Sequence, residues 1–177
     1  MKLLAFAASN SSKSINKKLV NYAASLVEGV EVETLDINDY EMPIFSIDRE
    51  EQIGQHQLAK DFQKKIGDAD ALLISFAEHN GSFTAAYKNL FDWTSRLDTK
   101  VFQDKPVVML STSPGPHGAA TVLTAATSAA PHQGADLRAQ LSVPSFSENF
   151  DLESNSISNP EINAQLISAL SELTKDS

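Results

Sequence analysis

The sequence predicts an α/β fold: a doubly wound, five-stranded parallel sheet in the strand order 2-1-3-4-5, with helices on both faces. Three observations lead there. Short apolar runs alternate along the chain with segments of helical periodicity, as repeated strand–helix units require. Two of these runs, Ala71–Phe76 and Val107–Leu110, read as continuously apolar, the pattern of parallel strands covered on both faces. The most polar and unusual loops, Ala8–Ser14, Ala77–Phe83 and Thr112–Gly118, follow the first, third and fourth runs. A sheet of this order holds ligands beyond the carboxyl ends of its strands.

The elements follow in order. Leu3–Ala7 is the first strand: the apolar run Leu3–Ala8 after Met1-Lys2, six residues, is too short for a secretory leader, whose apolar core runs about 7–15 residues. Ile15, Leu19, Tyr22, Ala23 and Leu26 share one helix face. Val30–Leu35 alternates Val30, Val32 and Thr34 against Glu31 and Glu33, predicting a strand with its apolar side inward. Leu58, Phe62 and Ile66 mark the next helix, and Tyr87, Leu90, Phe91 and Thr94 the one after the third strand. Ala119–Ala130 is a weaker, Ala- and Thr-rich helix, and Leu137–Val143 the last strand. Residues 142–159 read as loop, and Ile162, Leu166, Leu170 and Leu173 as a final helix. Every stripe is first of all a core face. A chain of 177 residues suits one domain spanning 1–177.

Composition narrows the function. A formal net charge of -9 disfavours nucleic acid and anionic membrane surfaces as partners. The absence of cysteine removes thiol and thiolate–metal chemistry and fits a cytoplasmic protein. Pro106–Ala135 carries no Asp, Glu, Lys or Arg, yet Pro, Gly and His interrupt it, so no membrane span is expected. His56, His79, His117 and His132 lack metal-site spacing, and no Gly-x-Ser-x-Gly elbow is present. Ala8-Ser9 stand where a receiver domain needs acidic residues.

The first loop, Ala8-Ser9-Asn10-Ser11-Ser12-Lys13-Ser14-Ile15-Asn16, joins an apolar strand to an amphipathic helix. Ser14 is an N-cap candidate, and open N–H groups at a helix start favour a phosphate. Ser9, Ser11 and Ser14 offer hydroxyls, and Lys13 a charge. The plain alternative is a capped polar turn. The loop is neither a Walker loop nor a dinucleotide fingerprint. In the second loop, Asn80-Gly81 is equally a turn pair, and His79 a solvated loop residue. In the third, Gly115 and Gly118 permit close backbone approach to a ligand.

Together these segments resemble the NADPH-dependent FMN reductase family, of flavodoxin-like fold. The family writes its flavin phosphate loop Gly-Ser-x-Arg-x-x-Ser-x-Asn; Ser9, Ser14 and Asn16 match, while Ala8 replaces Gly and Ser11 replaces Arg. Its Pro-x-Tyr-Asn-x-Ser loop and Leu-Lys-Asn-x-x-Asp-Trp helix are met by Asn80, Gly81, Ser82, Lys88, Asn89, Asp92 and Trp93, with Ala77 for Pro and His79 for Tyr. Glu41–Phe45 also resembles a family segment, and the likeness spans most of residues 1–145. The resemblance implies an FMN site made by Ser9, Ser11, Lys13, Ser14, Ile15 and Asn16 around the phosphate. Ala77, Glu78, His79, Asn80 and Gly81, with Ser113, Pro114 and Gly115, then lie along the ring. It implies an oxidoreductase that passes hydride from NADPH or NADH through flavin N5 to a quinone, free flavin or other small electrophilic acceptor. No dedicated acid, base or nucleophile is needed. A homodimer or homotetramer is implied as well. An electron-transfer module without nicotinamide turnover, or a fold binding another phosphorylated ligand, are the other readings of the same loops.

Overall fold

The side chains of the central strands divide between two cores. In the computed structural model, which describes residues 1–175, β1 (Lys2–Ala8) sends Leu4, Phe6 and Ala8 to one side and Leu3, Ala5 and Ala7 to the other, all buried. Helix α1 (Ile15–Ser25) follows, then β2 (Glu31–Leu35) and a 3-10 turn at Ile37–Tyr40. Next come α2 (Ile47–Ile53), α3 (Gln57–Gly67) and β3 (Ala71–Phe76). A two-stranded hairpin, β4 (Glu78–His79) and β5 (Ser82–Phe83), leads into α4 (Ala85–Ser95). Strand β6 (Lys105–Thr112), α5 (Ala120–Ala129) and β7 (Ala135–Val143) complete the main sheet. A one-turn α6 (Phe146–Asn149), a small hairpin of β8 (Phe150–Asp151) and β9 (Ser156–Ile157), and α7 (Pro160–Ser171) finish the described chain.

The sheet runs β2-β1-β3-β6-β7 with every pair parallel, which is the predicted order. Core residues of α3, α4 and α5 cover one face, where Phe62, Ile66, Leu90 and Trp93 are buried against Leu72, Ile74 and Met109. Core residues of α1 and α7 cover the other, with Leu19, Ala23, Leu166 and Leu170 over Leu73, Val108 and Leu110.

Three local readings change. On β2, Val32 is 40% exposed and Thr34 is exposed, while Glu33 is the half-covered side chain. Strand β2 lies at the sheet edge, and Lys2 and Lys65 close over Glu33, with Lys2 Nζ 2.6 Å from its carboxylate. Alternation marked the strand correctly but reversed its inner face. Residues 142–159 are not a plain loop: β7 runs through Val143, and α6 with the β8–β9 hairpin buries Phe146, Phe150 and Ile157 in the α1/α7 core. Phe146 and Phe150 stack at 4.6 Å between ring centres. Sparse apolar residues four and seven apart were too few to show as a periodicity. Helix α2 was also unforeseen, because none of its residues is buried. Its signal is Ser46, which caps it by accepting from the Arg49 N–H.

Hydrogen bonds from Lys2 and Lys65 hold the Glu33 carboxyl below its usual range. A lowered carboxyl pKa contributes stability above the unfolded value, about 4.3 for Glu, and loses it as pH falls through the folded value. Glu33→Gln therefore lowers the urea midpoint at neutral pH, and the gap to the parent protein narrows steadily in acid below about pH 4. Denaturation curves across that range check both the sign and the window.

Candidate functional site

Beyond the strand ends, side-chain hydroxyls and one amide stitch the loops to the sheet. Asn16, in the first turn of α1, is only 2% exposed. Its Oδ1 accepts from Ser75 Oγ at 2.7 Å and from the Thr112 N–H at 3.1 Å, and its Nδ2 donates to the Thr112 carbonyl at 3.1 Å. One side chain thus joins α1 to the ends of β3 and β6. Thr112 Oγ1 donates to the Val143 carbonyl at 2.7 Å, and Thr84 Oγ1 donates to the Ala8 carbonyl at 3.1 Å. Ser111 Oγ donates to the Gly118 carbonyl at 2.7 Å.

The first loop is the most open. Ser11, Ser12 and Lys13 are exposed, while Ser9 and Ser14 are buried. Ser14 caps α1, its Oγ accepting from the Lys17 N–H at 3.3 Å, and Ser9 Oγ accepts from the Ser11 N–H at 3.3 Å. The backbone N–H groups of Ser12, Lys13, Ile15 and Asn16 make no hydrogen bond among the described residues. They form a run of donors at the positive end of the α1 dipole. The Ile15 side chain packs on the α1/α7 core, so only its backbone serves this mouth. Lys17 is drawn away to Asp36, 2.5 Å distant. Burial raises the Asp36 carboxyl, but the bonds from Lys17 and Asn38 outweigh it and hold the group below its usual range.

The second loop is a hairpin with Asn80 (φ 52°) and Gly81 (φ 74°) at its two-residue tip. Two left-handed residues make a type I′ turn, for which Asn-Gly is the preferred pair. His79, Asn80 and Gly81 are exposed and Ala77 is half-buried. Glu78 ties the hairpin to α5: its Oε2 accepts from the Val122 N–H at 2.8 Å. The N-cap of α5 is Ala119, which has no capping side chain, so Glu78 reaches across from β4 to supply one.

The third loop is tied to its neighbours. The Gly115 carbonyl accepts from the Ser145 N–H at 2.9 Å, and the Ser113 carbonyl from the Phe146 N–H at 3.1 Å. Pro114, Pro116 and His117 are exposed, and Ser113 and Gly115 half-buried. Gly118 is needed by the fold itself. At φ 56°, a Cβ there stands 2.4 Å from Ser142 Oγ and 2.8 Å from the Val143 carbonyl. Gly115 has open space where a Cβ would be.

A cleft of about 230 Å³ borders the first loop at Asn10 and runs between Tyr40, Met42 and the start of α4 at Ala85 and Asn89. Asn89 fixes its wall, its Nδ2 donating to the Met42 carbonyl and its Oδ1 accepting from the Phe45 N–H at 2.8 Å. Trp93 Nε1 donates to the Pro43 carbonyl at 2.7 Å. Asn89 and Trp93 therefore hold the Met42–Phe45 segment. Sequence reasoning missed Ser75, Thr84, Ser111 and Thr112. Their signal was hydroxyls ending otherwise apolar strands or opening a helix.

This arrangement is that of the flavodoxin-like class, in which ligands sit beyond the strand ends. The flavoenzyme NAD(P)H:(acceptor) oxidoreductase from Paracoccus denitrificans shares the fold, with a TM-score of 0.78 over 97% of this chain and 96% of that one, at 22% identity. The model of the NADPH-dependent FMN reductase family matches residues 1–148, and the chain belongs to that family. A NAD(P)H:quinone oxidoreductase from Solanum tuberosum is 34% identical over 106 residues, covering 58% of this chain and 53% of that protein. An NAD(P)H-dependent FMN reductase from Pseudomonas aeruginosa is 33% identical over 121 residues, covering 68% and 64%. The chain thus spans between about half and two thirds of the length of these two relatives.

The two loop glycines separate architecture from access. Gly118→Ala forces a left-handed alanine against backbone and should destabilise by roughly 2 kcal/mol or more. Gly115→Ala should change stability by less than about 0.5 kcal/mol. Equilibrium unfolding of the two variants distinguishes them.

Proposed function

We propose that this protein is an FMN-dependent NAD(P)H oxidoreductase, one domain over residues 1–177, that works in the cytoplasm as a homodimer or homotetramer. Bound FMN supplies a hydride-accepting ring nitrogen, N5, that links NADPH or NADH to a quinone, free flavin or other electrophilic acceptor. The observation that carries the reading is the run of unpartnered N–H groups at Ser12, Lys13, Ile15 and Asn16, on the family's phosphate loop.

Four backbone donors, exposed hydroxyls at Ser11 and Ser12 and the Lys13 ammonium fit a phosphate monoester. Ser14 and Asn16 act from behind: one caps the helix, the other fixes it to β3 and β6, so the donors are preorganised. The exposed tip His79-Asn80-Gly81 and the Pro114-Gly115 turn are the assigned borders of the ring, with Glu78 holding the hairpin to α5. Ala77 and Ser113 join these borders to their strands. Exposed Ile44 and Ile47 (83% and 64%) support a subunit contact on that side.

Ser11 stands where the family carries Arg, so the site lacks a forked, charge-assisted donor. The protein is expected to purify with substoichiometric FMN. Ser11→Arg, at an exposed position, should tighten FMN binding by about 10- to 100-fold, less at high salt. Lys13→Ala should weaken binding more in the native background than beside the new arginine. Calorimetric titration of the four proteins measures this, and no change in either single variant overturns the phosphate assignment. NADPH oxidation by FMN-loaded protein with a benzoquinone tests the activity: a protein that binds FMN without turnover is not this oxidoreductase.

A further inference from the structure

A second cavity lies between α4 and α5 over the sheet and meets the second loop only at Phe83. It encloses about 160 Å³ and is lined chiefly by Phe76, Phe83, Tyr87, Phe91, Met109 and Ala126, with Gln133 as a neutral polar neighbour. None of the candidate flavin-site residues lines it. Its volume sets the size of an occupant: a cavity of about 150 Å³ holds one benzene ring, far less than a flavin or a nicotinamide dinucleotide.

Its wall sets the chemistry. Tyr87 is 4% exposed and its ring is held by Phe76, Phe83 and Phe91 at 5.3, 5.5 and 6.0 Å between centres. The Tyr87 hydroxyl has no hydrogen-bond partner among the described residues, and burial pushes its pKa upward, keeping it a neutral donor. Three packed rings fix the phenol in place, and its hydroxyl, unpaired within the described residues, is left for an acceptor that enters the cavity. At the rim Lys88 and Asp92 pair with each other at 2.7 Å, leaving no unpaired charge from these two residues to recruit an ionic ligand.

We propose that this cavity binds an uncharged single-ring aromatic carbonyl compound, its ring among the phenylalanines and its oxygen accepting from the Tyr87 hydroxyl. The ring gains burial and edge contacts, and the carbonyl gives the Tyr87 hydroxyl the acceptor that its ring neighbours do not supply.

Methionine methyl groups report on the two clefts separately, because Met109 lines this cavity and Met42 the one beside the first loop. Isotope-labelled methionine spectra should show saturable movement of Met109 with acetophenone, Met1 and Met42 staying in place, and the same titration with FMN at saturation. Tyr87→Phe keeps the ring stack and should weaken acetophenone by about 3- to 10-fold while leaving ethylbenzene unchanged. Ala126→Leu fills the space and should abolish both responses; Tyr87→Phe remains decisive if that variant packs poorly. A silent Met109, a response at Met42 instead, or competition by FMN overturns the site. An unchanged preference for acetophenone over ethylbenzene in Tyr87→Phe overturns the ligand class.

Discussion

The side-chain amide of Asn16 is the fastening on which the loop end of this fold depends. Its three hydrogen bonds to Ser75 and to both backbone groups of Thr112 join α1 to two adjacent strands, β3 and β6. The amide is buried, so its groups must be paired inside the protein. A short carboxamide can both donate to and accept from one peptide, as a neighbouring strand does. The start of α1 is thereby set against the sheet, and with it the direction of the first-turn N–H groups. Asn16, which with Ser9 and Ser14 matches the family's phosphate motif, is thus built into the wall behind the loop.

The helix starts around this end are treated differently. Ser14 and Thr84 cap α1 and α4 from within their own segments. The start of α5 lacks a capping side chain and takes the carboxylate of Glu78. That carboxylate occupies one anion-favouring terminus, and α1 keeps its first-turn donors open. Lys17, in the first turn of α1, is bound to Asp36, and Lys13 is the lysine on the loop itself. In a chain of net charge -9, the groups this mouth offers an anion are mainly backbone dipoles and hydroxyls.

Much of the architecture was legible because it follows from period and order. Leu72, Ile74 and Phe76 face one core and Ala71 and Leu73 the other because successive strand residues alternate. The helix stripes, such as Phe62 with Ile66 and Leu166 with Leu170, settle on those cores as their spacing requires. Alternation without neighbours does not say which side is inside. On β2, Glu33 lies toward cover and Val32 toward solvent, because two lysines from other elements close over the carboxylate. Similarly, Phe146, Phe150 and Ile157 become core only when the chain after β7 folds back on α1 and α7.

The sequence by itself determined the sheet and its order, the polar loops at the strand ends, the cap at Ser14 and the family pattern that singles out those loops. These depend on local periodicity, turn chemistry and short motifs, all of them properties of neighbouring residues. Only the tertiary structure decided which polar atoms the fold consumes and which remain open. Asn16 and Glu78 spend their side chains on partners 96 and 44 residues away, and Gly118 is fixed by contact with Ser142 and Val143. The Tyr87 hydroxyl has no hydrogen-bond partner among the described residues because Phe76, Phe83 and Phe91 surround its ring. Hydrogen bonding and packing saturate in three dimensions, so whether a group is free for a ligand is known only once its long-range neighbours are in place.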